Sequence, residues 1–334
     1  MGRAVGIRDV AEAAQVSVGT VSNALNKPDR VSPTTLARVL AVIDELGFVR
    51  NDLARQLKMG AGTTLGMIVL NVANPFFADL AHASEAAAEE AGQTVVLGSS
   101  DQLEAREDRY LDLFEEQRVR GMLVAPLDGI TQRMRRLRAR GMPLILFDIH
   151  ADRDFCSVTL DGRAGGELVA RHLIESGRRH IAFLGGPLHQ VEDRWLGAQR
   201  VCAEHQGVRL THVDTDDQTI ADGRAAGAVI EAMPAAERPD AVFAANDLLA
   251  LGVLQALVMS DQLSVPRDIA VVGYDDIDYA ESAIVPLSTV RQSTGLLAEH
   301  AIRLVLDEAD DPDHSHEQLK LSPELIVRES SSPR

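Results

Sequence analysis

Aromatic side chains are scarce in this sequence of 334 residues: eight Phe, three Tyr and one Trp, or 4% of the chain. The 46% hydrophobic content is carried by aliphatic residues and alanine instead, a composition that suits a soluble α/β protein. Cysteine is nearly absent, and Cys156 and Cys202 lie 46 positions apart with no partner spacing for zinc. They read as buried free thiols in a reducing compartment, and a metal site is not expected. No apolar run approaches the roughly 18 residues that a membrane span needs, and the amino terminus lacks a signal-peptide core, so the expected location is the cytoplasm. Enzyme motifs are missing as well. Asp161-Gly162-Arg163-Ala164-Gly165-Gly166 opens a helix but fails G-x-G-x-x-G, and neither a G-x-S-x-G elbow nor a P-loop occurs. Asp148 or Asp275 could be proposed as a base, yet no His joins them in a motif, so neither an enzyme nor a cofactor is expected. No long heptad tail follows Arg328, which favours a dimer over a tetramer. Asp313-His314-Ser315-His316 reads as a loop by composition, with metal binding there a minor alternative resting on spacing alone.

Net charge is −17, a sign that argues against a nucleic-acid partner until its distribution is considered. Residues 1–60 hold eight basic side chains against six acidic ones, while the remainder holds 25 against 44. An acidic body would repel DNA except through a small reader at one end. Ile7 to Asn26 spells such a reader, two short helices joined by a tight turn. Val10, Ala11 and Ala14 give the first an apolar face, and Val21, Ala24 and Leu25 do so for the second. Ser17 stands where an N-cap belongs, leaving Val18, Gly19, Ser22 and Asn23 to face outward toward a major groove. A third helix spans Pro33 to Leu46, with Ser32 as N-cap, Pro33 at its first position and Gly47 closing it. Leu36, Val39, Leu40 and Ile43 are expected to complete a three-helix core.

Asp9 to Ala11, Val16 to Ser22, Leu25-Asn26, Val31-Ser32, Val39-Leu40 and Glu45 to Phe48 match the D-V-A, V-S-x-x-T-V-S, L-N, V-S, V-L and E-L-G-F pattern of one family. On these residues the segment resembles the headpiece of the lactose repressor (LacI/GalR) family of transcription regulators, and the likeness covers nearly the whole chain. The resemblance implies DNA contacts from Ser17, Val18, Gly19, Thr20, Ser22, Asn23, Asn26 and Arg30. It also implies a hinge helix over Asn51 to Leu57 that folds when two subunits lie side by side on DNA, with Ala54 at the duplex and Leu57 wedged into the minor groove. The alternative for Leu53 and Leu57 is an ordinary i, i+4 core stripe. Arg3, Arg30, Arg55 or Lys58 would contact phosphates and make affinity salt-dependent, the alternative for each being a solvated surface charge. The recognition positions lack the arginine that many relatives place last, which leaves Asn23 to pair with adenine. Arg50 stands where relatives commonly have proline.

From Thr63 onward, short apolar runs alternate with helical segments. Residues 65–70, 94–97, 121–125, 144–147, 181–184, 241–244 and 269–272 read as strands buried on both faces. Residues 77–91, 106–117, 162–176, 193–206, 223–233 and 248–261 carry helical spacing. Such alternation implies parallel sheets wrapped by helices. The strands fall into two sets divided near Asp161 and near Ser288. The expected architecture is an all-α helix-turn-helix headpiece over 1–50, a hinge over 51–60 and a two-lobed α/β core over 61–334 that resembles a periplasmic binding protein. Lobe 1 would take about 61–160 and 291–320, and lobe 2 about 161–288 and 321–330.

Ligands of open α/β sheets sit beyond the carboxyl ends of the strands. Asn71, Asn74 and Phe76 follow the first strand, Asp101 the second, Asp148 the fourth, and Asn246, Asp247, Tyr274, Asp275 and Asp276 follow later ones. By resemblance, Arg194 and Asp148 would grip ligand hydroxyls, with Asn246 of A-N-D and Asp275 of Y-D-D in the pocket. Amides, carboxylates and a guanidinium fork match vicinal hydroxyls. For Asn74, Asp247 and Asp276, helix capping is an equal alternative, and for Phe76 stacking and core packing stand level. The aromatic that often precedes the corresponding helix of the second lobe is replaced near Gln218, so a stacking surface is missing unless Trp195 supplies it. The expected function is a dimeric repressor on a pseudo-palindromic operator, controlled by a small molecule, most simply a sugar. A purine-like corepressor is the alternative within the family; a solute-binding protein or an α/β enzyme is the alternative outside it.

Overall fold

The computed structural model describes residues 5–48, 62–149, 152–260, 262–311 and 313–332. The expected hinge, with Ala54 and Leu57, and the basic residues Arg3, Arg50, Arg55 and Lys58 lie outside them. The chain divides into two compact units, Met1–Gly62 and Thr63–Arg334.

The first unit comprises α1 (Ile7–Ala13), α2 (Val18–Asn26), a 3-10 turn (Pro28–Arg30) and α3 (Pro33–Leu46). Local chemistry sets each boundary. The Asp9 carboxylate accepts the Gly6 amide at 2.7 Å, Ser17 Oγ accepts the Thr20 amide at 3.0 Å, and Ser32 Oγ accepts the Thr35 amide at 3.4 Å. Gly47, at φ +61°, ends α3 in the left-handed conformation. Val10, Ala11, Ala14, Val21, Ala24 and Val39 form the buried core, with Leu25, Leu36, Ile43 and Phe48 packed at its edge. Leu40 does not join it and is 44% exposed. One residue past Val39 is a rotation of about 100° around the helix, which carries Leu40 off the stripe that Leu36, Val39 and Ile43 share.

The second unit holds two parallel sheets. β1 (Thr64–Val69), β2 (Thr94–Ser99), β3 (Gly121–Val124), β4 (Leu144–Phe147), β5 (Cys156–Leu160) and β11 (Gln318–Leu321) form one, in the order β11-β5-β4-β3-β1-β2. β6 (His180–Leu184), β7 (Arg209–Val213), β8 (Ala241–Ala244) and β9 (Ala270–Val272) form the other, in the order β7-β6-β8-β9. β10 (Thr289–Arg291) and β12 (Glu324–Ile326) pair antiparallel. The helices are α4 (Pro75–Glu90), α5 (Glu104–Glu116), α6 (Gln132–Ala139), α7 (Gly162–Glu175), α8 (Leu188–Ala203), α9 (Ile220–Ala232), α10 (Asp247–Ser260), α11 (Asp278–Glu281) and α12 (Thr294–Asp310). All seven expected strands are present. β2, however, is an edge strand with Val96 and Leu97 exposed, so it is not buried on both faces. β5, β7, β10, β11 and β12 were not evident in the sequence, nor were α6, α11 and α12.

Glycines set the helix crossings beside the second sheet. A Cβ at Gly166 of α7 would lie 2.0 Å from the Arg194 carbonyl oxygen of α8, and one at Gly223 of α9 would lie 2.1 Å from that of Leu249 in α10. Only a residue without Cβ permits backbones this close. Gly166 thus sets the close approach of α7 to α8, while Val169, Ala170 and Leu173 of α7 pack on the sheet.

Candidate functional site

Three adjoining cavities of about 230, 400 and 470 Å³ lie at the carboxyl ends of the strands, and Asp148 and Gln190 line all three. The middle one is walled by Asn71, Phe76, Asp148, Arg194, Asn246 and Asp275, which sequence positions alone had scattered along the chain. Asp101 is not among its lining residues. Its carboxylate pairs with Arg106 at 2.9 Å, half-exposed, while the next residue, Gln102, turns into the cavity.

Two of the carboxylates sit on strained backbone. Asp148 follows β4 at φ +52° and Asp275 follows β9 at φ +117°, a region that non-glycine residues seldom occupy. Such conformations cost about 1–3 kcal/mol each and gather at ligand sites. Asp275 is buried and accepts from Gln292 Nε2 at 2.5 Å. Burial pushes its carboxyl up to about 7, against the opposing pull of the Arg194 guanidinium and the Gln292 hydrogen bond. Arg194 reaches across from α8, its guanidinium carbon 3.9 Å from the Tyr274 ring centroid, and donates through Nη1 to the Ala245 carbonyl. The Tyr274 hydroxyl is buried with no hydrogen-bond partner among the described residues, and burial raises its pKa.

Several expected residues turn out to shape the wall. Asn246 donates to the Gln218 carbonyl at 3.1 Å and accepts the Leu249 amide at 2.9 Å, so it caps α10 and holds the Gln218 loop. Asn71 Oδ1 accepts the Ala73 amide at 2.8 Å, and Asn74 Oδ1 accepts the Phe76 amide at 3.1 Å as the cap of α4. Asp247 does not cap its own helix: it accepts from the Ile277 amide at 3.0 Å and the Thr289 hydroxyl at 2.6 Å, fully buried, with its pKa raised by that burial. Asp276 pairs with Arg291 at 2.7 Å and Arg328 at 2.8 Å, again not a cap. Phe76 lines two cavities and meets Phe77 edge-on at 5.2 Å. Trp195 packs against Phe183 and His212, each 5.6 Å away, and lines none of the three cavities, so it supplies no stacking face.

Sequence reasoning passed over Gln102, Gln190, Asp217 and Gln292. Gln102 Nε2 donates to Asp217 at 3.1 Å and its Oε1 accepts from Gln190 at 3.3 Å, a bridge from the end of β2 to the start of α8 and the loop before α9. The one local signal was position, since Gln102 and Gln292 each follow a strand by a few residues.

In the first unit, Ser17, Val18, Gly19, Asn23, Asn26 and Arg30 are exposed, and Thr20 and Ser22 are half-buried. Ser17 Oγ and Thr20 Oγ1 lie 2.9 Å apart, and Asn26 Nδ2 donates to the Ser22 carbonyl at 2.8 Å. The polar side of α2 is therefore presented opposite Val21 and Ala24.

A family profile described as bacterial regulatory proteins, lacI family, matches residues 6–51, and one described as a periplasmic binding protein-like domain matches residues 170–331. The chain is 34% identical to the ribose operon repressor of Escherichia coli across 97% of its length and 99% of that protein's. The chain belongs to the lacI family of bacterial regulatory proteins. Another relative, the HTH-type transcriptional repressor PurR of Aliivibrio fischeri, is 32% identical over 98% of each chain. The crystal structure of a lac repressor dimer bound to operator and an anti-inducer superimposes with a TM-score of 0.83 at 27% identity, covering 98% of this chain and 99% of that one. This lacI-family member is a DNA-binding transcriptional repressor and not an enzyme. Among the described residues, no helix is long and apolar enough to cross a membrane.

Proposed function

We propose that a small sugar, bound among Asp148, Arg194 and Asp275, sets the affinity of this repressor for a pseudo-palindromic operator. The observation that carries the reading is the convergence of three carboxylates, Asp148, Asp217 and Asp275, a guanidinium and the amides of Gln102, Gln190 and Gln218 on one cavity of about 400 Å³. Paired acceptors and donors of this kind match adjacent hydroxyls, and Phe76 offers one apolar face for a sugar ring. A planar purine is better served by aromatic faces on both sides. Gln218 lines the cavity as an amide, and Trp195 is turned into the lobe core. The ribose operon repressor and a ribose-bound LacI family regulator of Enterococcus faecium, 26% identical, support the same direction. The similarity to PurR supports corepression by a purine as the second reading.

Residues 1–50 read DNA, 51–60 serve as the hinge, and 61–334 bind the effector and dimerise, with lobe 1 over about 61–160 and 291–320 and lobe 2 over about 161–288 and 321–330. Ser17, Val18, Gly19, Thr20, Ser22, Asn23, Asn26 and Arg30 meet the major groove and its phosphates, Ala54 and Leu57 the minor groove. The reading puts the protein to work in the cytoplasm, as a homodimer whose symmetry matches that of its site. Sugar binding shifts the lobes and releases the operator. A tenfold preference of the sugar for one lobe arrangement changes operator affinity by about 1.4 kcal/mol per coupled site.

The test is operator binding by fluorescence anisotropy at fixed salt, on fragments upstream of its own and neighbouring genes, with D-ribose, other pentoses and hexoses, and purine bases. Tight binding that one sugar weakens is the expected result. Tightening by a purine base overturns the sugar assignment, and no preference over random DNA overturns direct readout.

A further inference from the structure

We infer that Cys156, His314 and His316 form a binding site for a thiophilic d10 cation, Zn(II) or Cu(I). Cys156 opens β5, whereas both histidines lie in the loop between α12 and β11, 158 and 160 residues further along the chain. Parallel pairing of β11 with β5 brings the two segments together, with Gln318 opposite Ser157. Cys156 Sγ is 3.2 Å from His314 Nε2 and 3.6 Å from His316 Nδ1, and all three donor atoms lie within 4.8 Å of one another. A tetrahedral ion about 2.3 Å from sulfur and about 2.0 Å from nitrogen sets sulfur and nitrogen about 3.5 Å apart, so the two sulfur–nitrogen separations need little adjustment.

Burial holds the Cys156 thiol above its ordinary range, so it is the charge of a bound cation that would draw off its proton. The Glu317 amide donates to Cys156 Sγ at 3.4 Å, a contact that steadies sulfur in its charged form. Cys156 is buried and the two histidines are half-buried, so an ion would be reached from solvent on the histidine side. A thiolate with two imidazoles selects soft or borderline cations and does not suit magnesium or calcium. Three protein ligands leave a fourth position for water or an added ligand. Binding releases the thiol proton. It also requires His316 to carry its remaining proton on Nε2, where Arg138 Nη2 now lies 2.5 Å away, so Arg138 gives up that contact and keeps its ion pair with Glu308. The site lies at the amino ends of β5 and β11, remote from the ligand cavities at the carboxyl ends. An ion there would clamp the starts of the two strands whose far ends, Leu160 and Leu321, lead toward the second sheet.

The experiment uses the full-length protein, reduced and stripped with chelator. Titration with Zn(II) against a chromophoric chelator, and with Cu(I) under anaerobic conditions, should give one high-affinity equivalent for one or both ions. Affinity should fall more than about tenfold in the His314→Ala/His316→Ala variant, which leaves the buried core intact. Co(II) should produce a thiolate-to-cobalt charge-transfer band in the near ultraviolet that is absent from Cys156→Ser. Bound metal should also slow alkylation of Cys156 while leaving that of Cys202 unchanged. Tight binding of one ion alone identifies the cation. Equal binding by native chain and double histidine variant, or a cobalt complex lacking the thiolate band, overturns the site.

Discussion

The guanidinium of Arg194 lies over the face of Tyr274, 3.9 Å from ring centroid to central carbon, and among the described residues Arg194 is the one cationic side chain that lines the middle cavity together with Asp148 and Asp275. A planar cation is required for both the stack and the fork it offers a ligand. Arg194→Lys keeps the charge but loses both, so sugar affinity should fall about 10- to 100-fold, or about 1.4–2.8 kcal/mol, while operator binding without sugar is unchanged. Isothermal titration of the native and substituted proteins with the active sugar checks this. Unchanged affinity would remove Arg194 from the site.

The buried carboxyl of Asp275 makes a pH prediction with a definite sign. Its value rises from 3.8 to about 7 on folding, so its contribution to stability is complete below pH 3.8 and is lost as pH rises through about 7. Asp275→Asn removes that dependence. At about 1.4 kcal/mol per pKa unit, native stability relative to the variant should drop by up to about 2–3 kcal/mol between pH 5 and pH 8. Urea unfolding of both proteins at the two pH values measures it, and parallel profiles would contradict it.

The helix crossings separate stability from binding. A methyl at Gly166 would press on the Arg194 carbonyl, and one at Gly252 would lie 2.2 Å from the Ile220 carbonyl oxygen. Gly166→Ala and Gly252→Ala should each cost about 1–3 kcal/mol of stability. Gly166→Ala should in addition weaken the sugar, because it displaces the backbone that carries Arg194. Thermal melts together with sugar titration of both variants decide between a local and a shared effect.

In the first unit, Ser17→Ala removes the acceptor of the Thr20 amide and should cost α2 about 1 kcal/mol. Amide exchange at the start of α2 should speed up about fivefold. Operator affinity should fall, with no change in sugar affinity. An α2 that exchanges at the native rate would show that the cap is not needed.

Where structure is local, the sequence was enough. The caps Ser17 and Ser32, Pro33 and Gly47 act within a few residues of their own helix, so the headpiece boundaries were legible before any packing was known. Strands such as Leu144–Phe147 and Ala241–Ala244 were legible because buried parallel strands are continuously apolar. β7 and β11 were not: both lie at sheet edges and carry polar residues among the apolar ones. α6 was hidden by its four arginines, of which Arg133, Arg135 and Arg138 find acidic partners on other segments.

The sequence by itself determined the helix-turn-helix reader, the alternation that builds parallel sheets and the strand-end positions of Asp148, Asn246 and Asp275, since all of these follow from neighbours along the chain. Tertiary structure alone decided which of these groups meet. Gln292 on Asp275, Gln102 on Asp217 and Cys156 on His314 join residues 17, 115 and 158 positions apart. Depth of burial was decided there too. A carboxyl's charge is set by what surrounds it in space, and no local pattern distinguishes Asp247, locked in the interior, from Asp101, left on the surface.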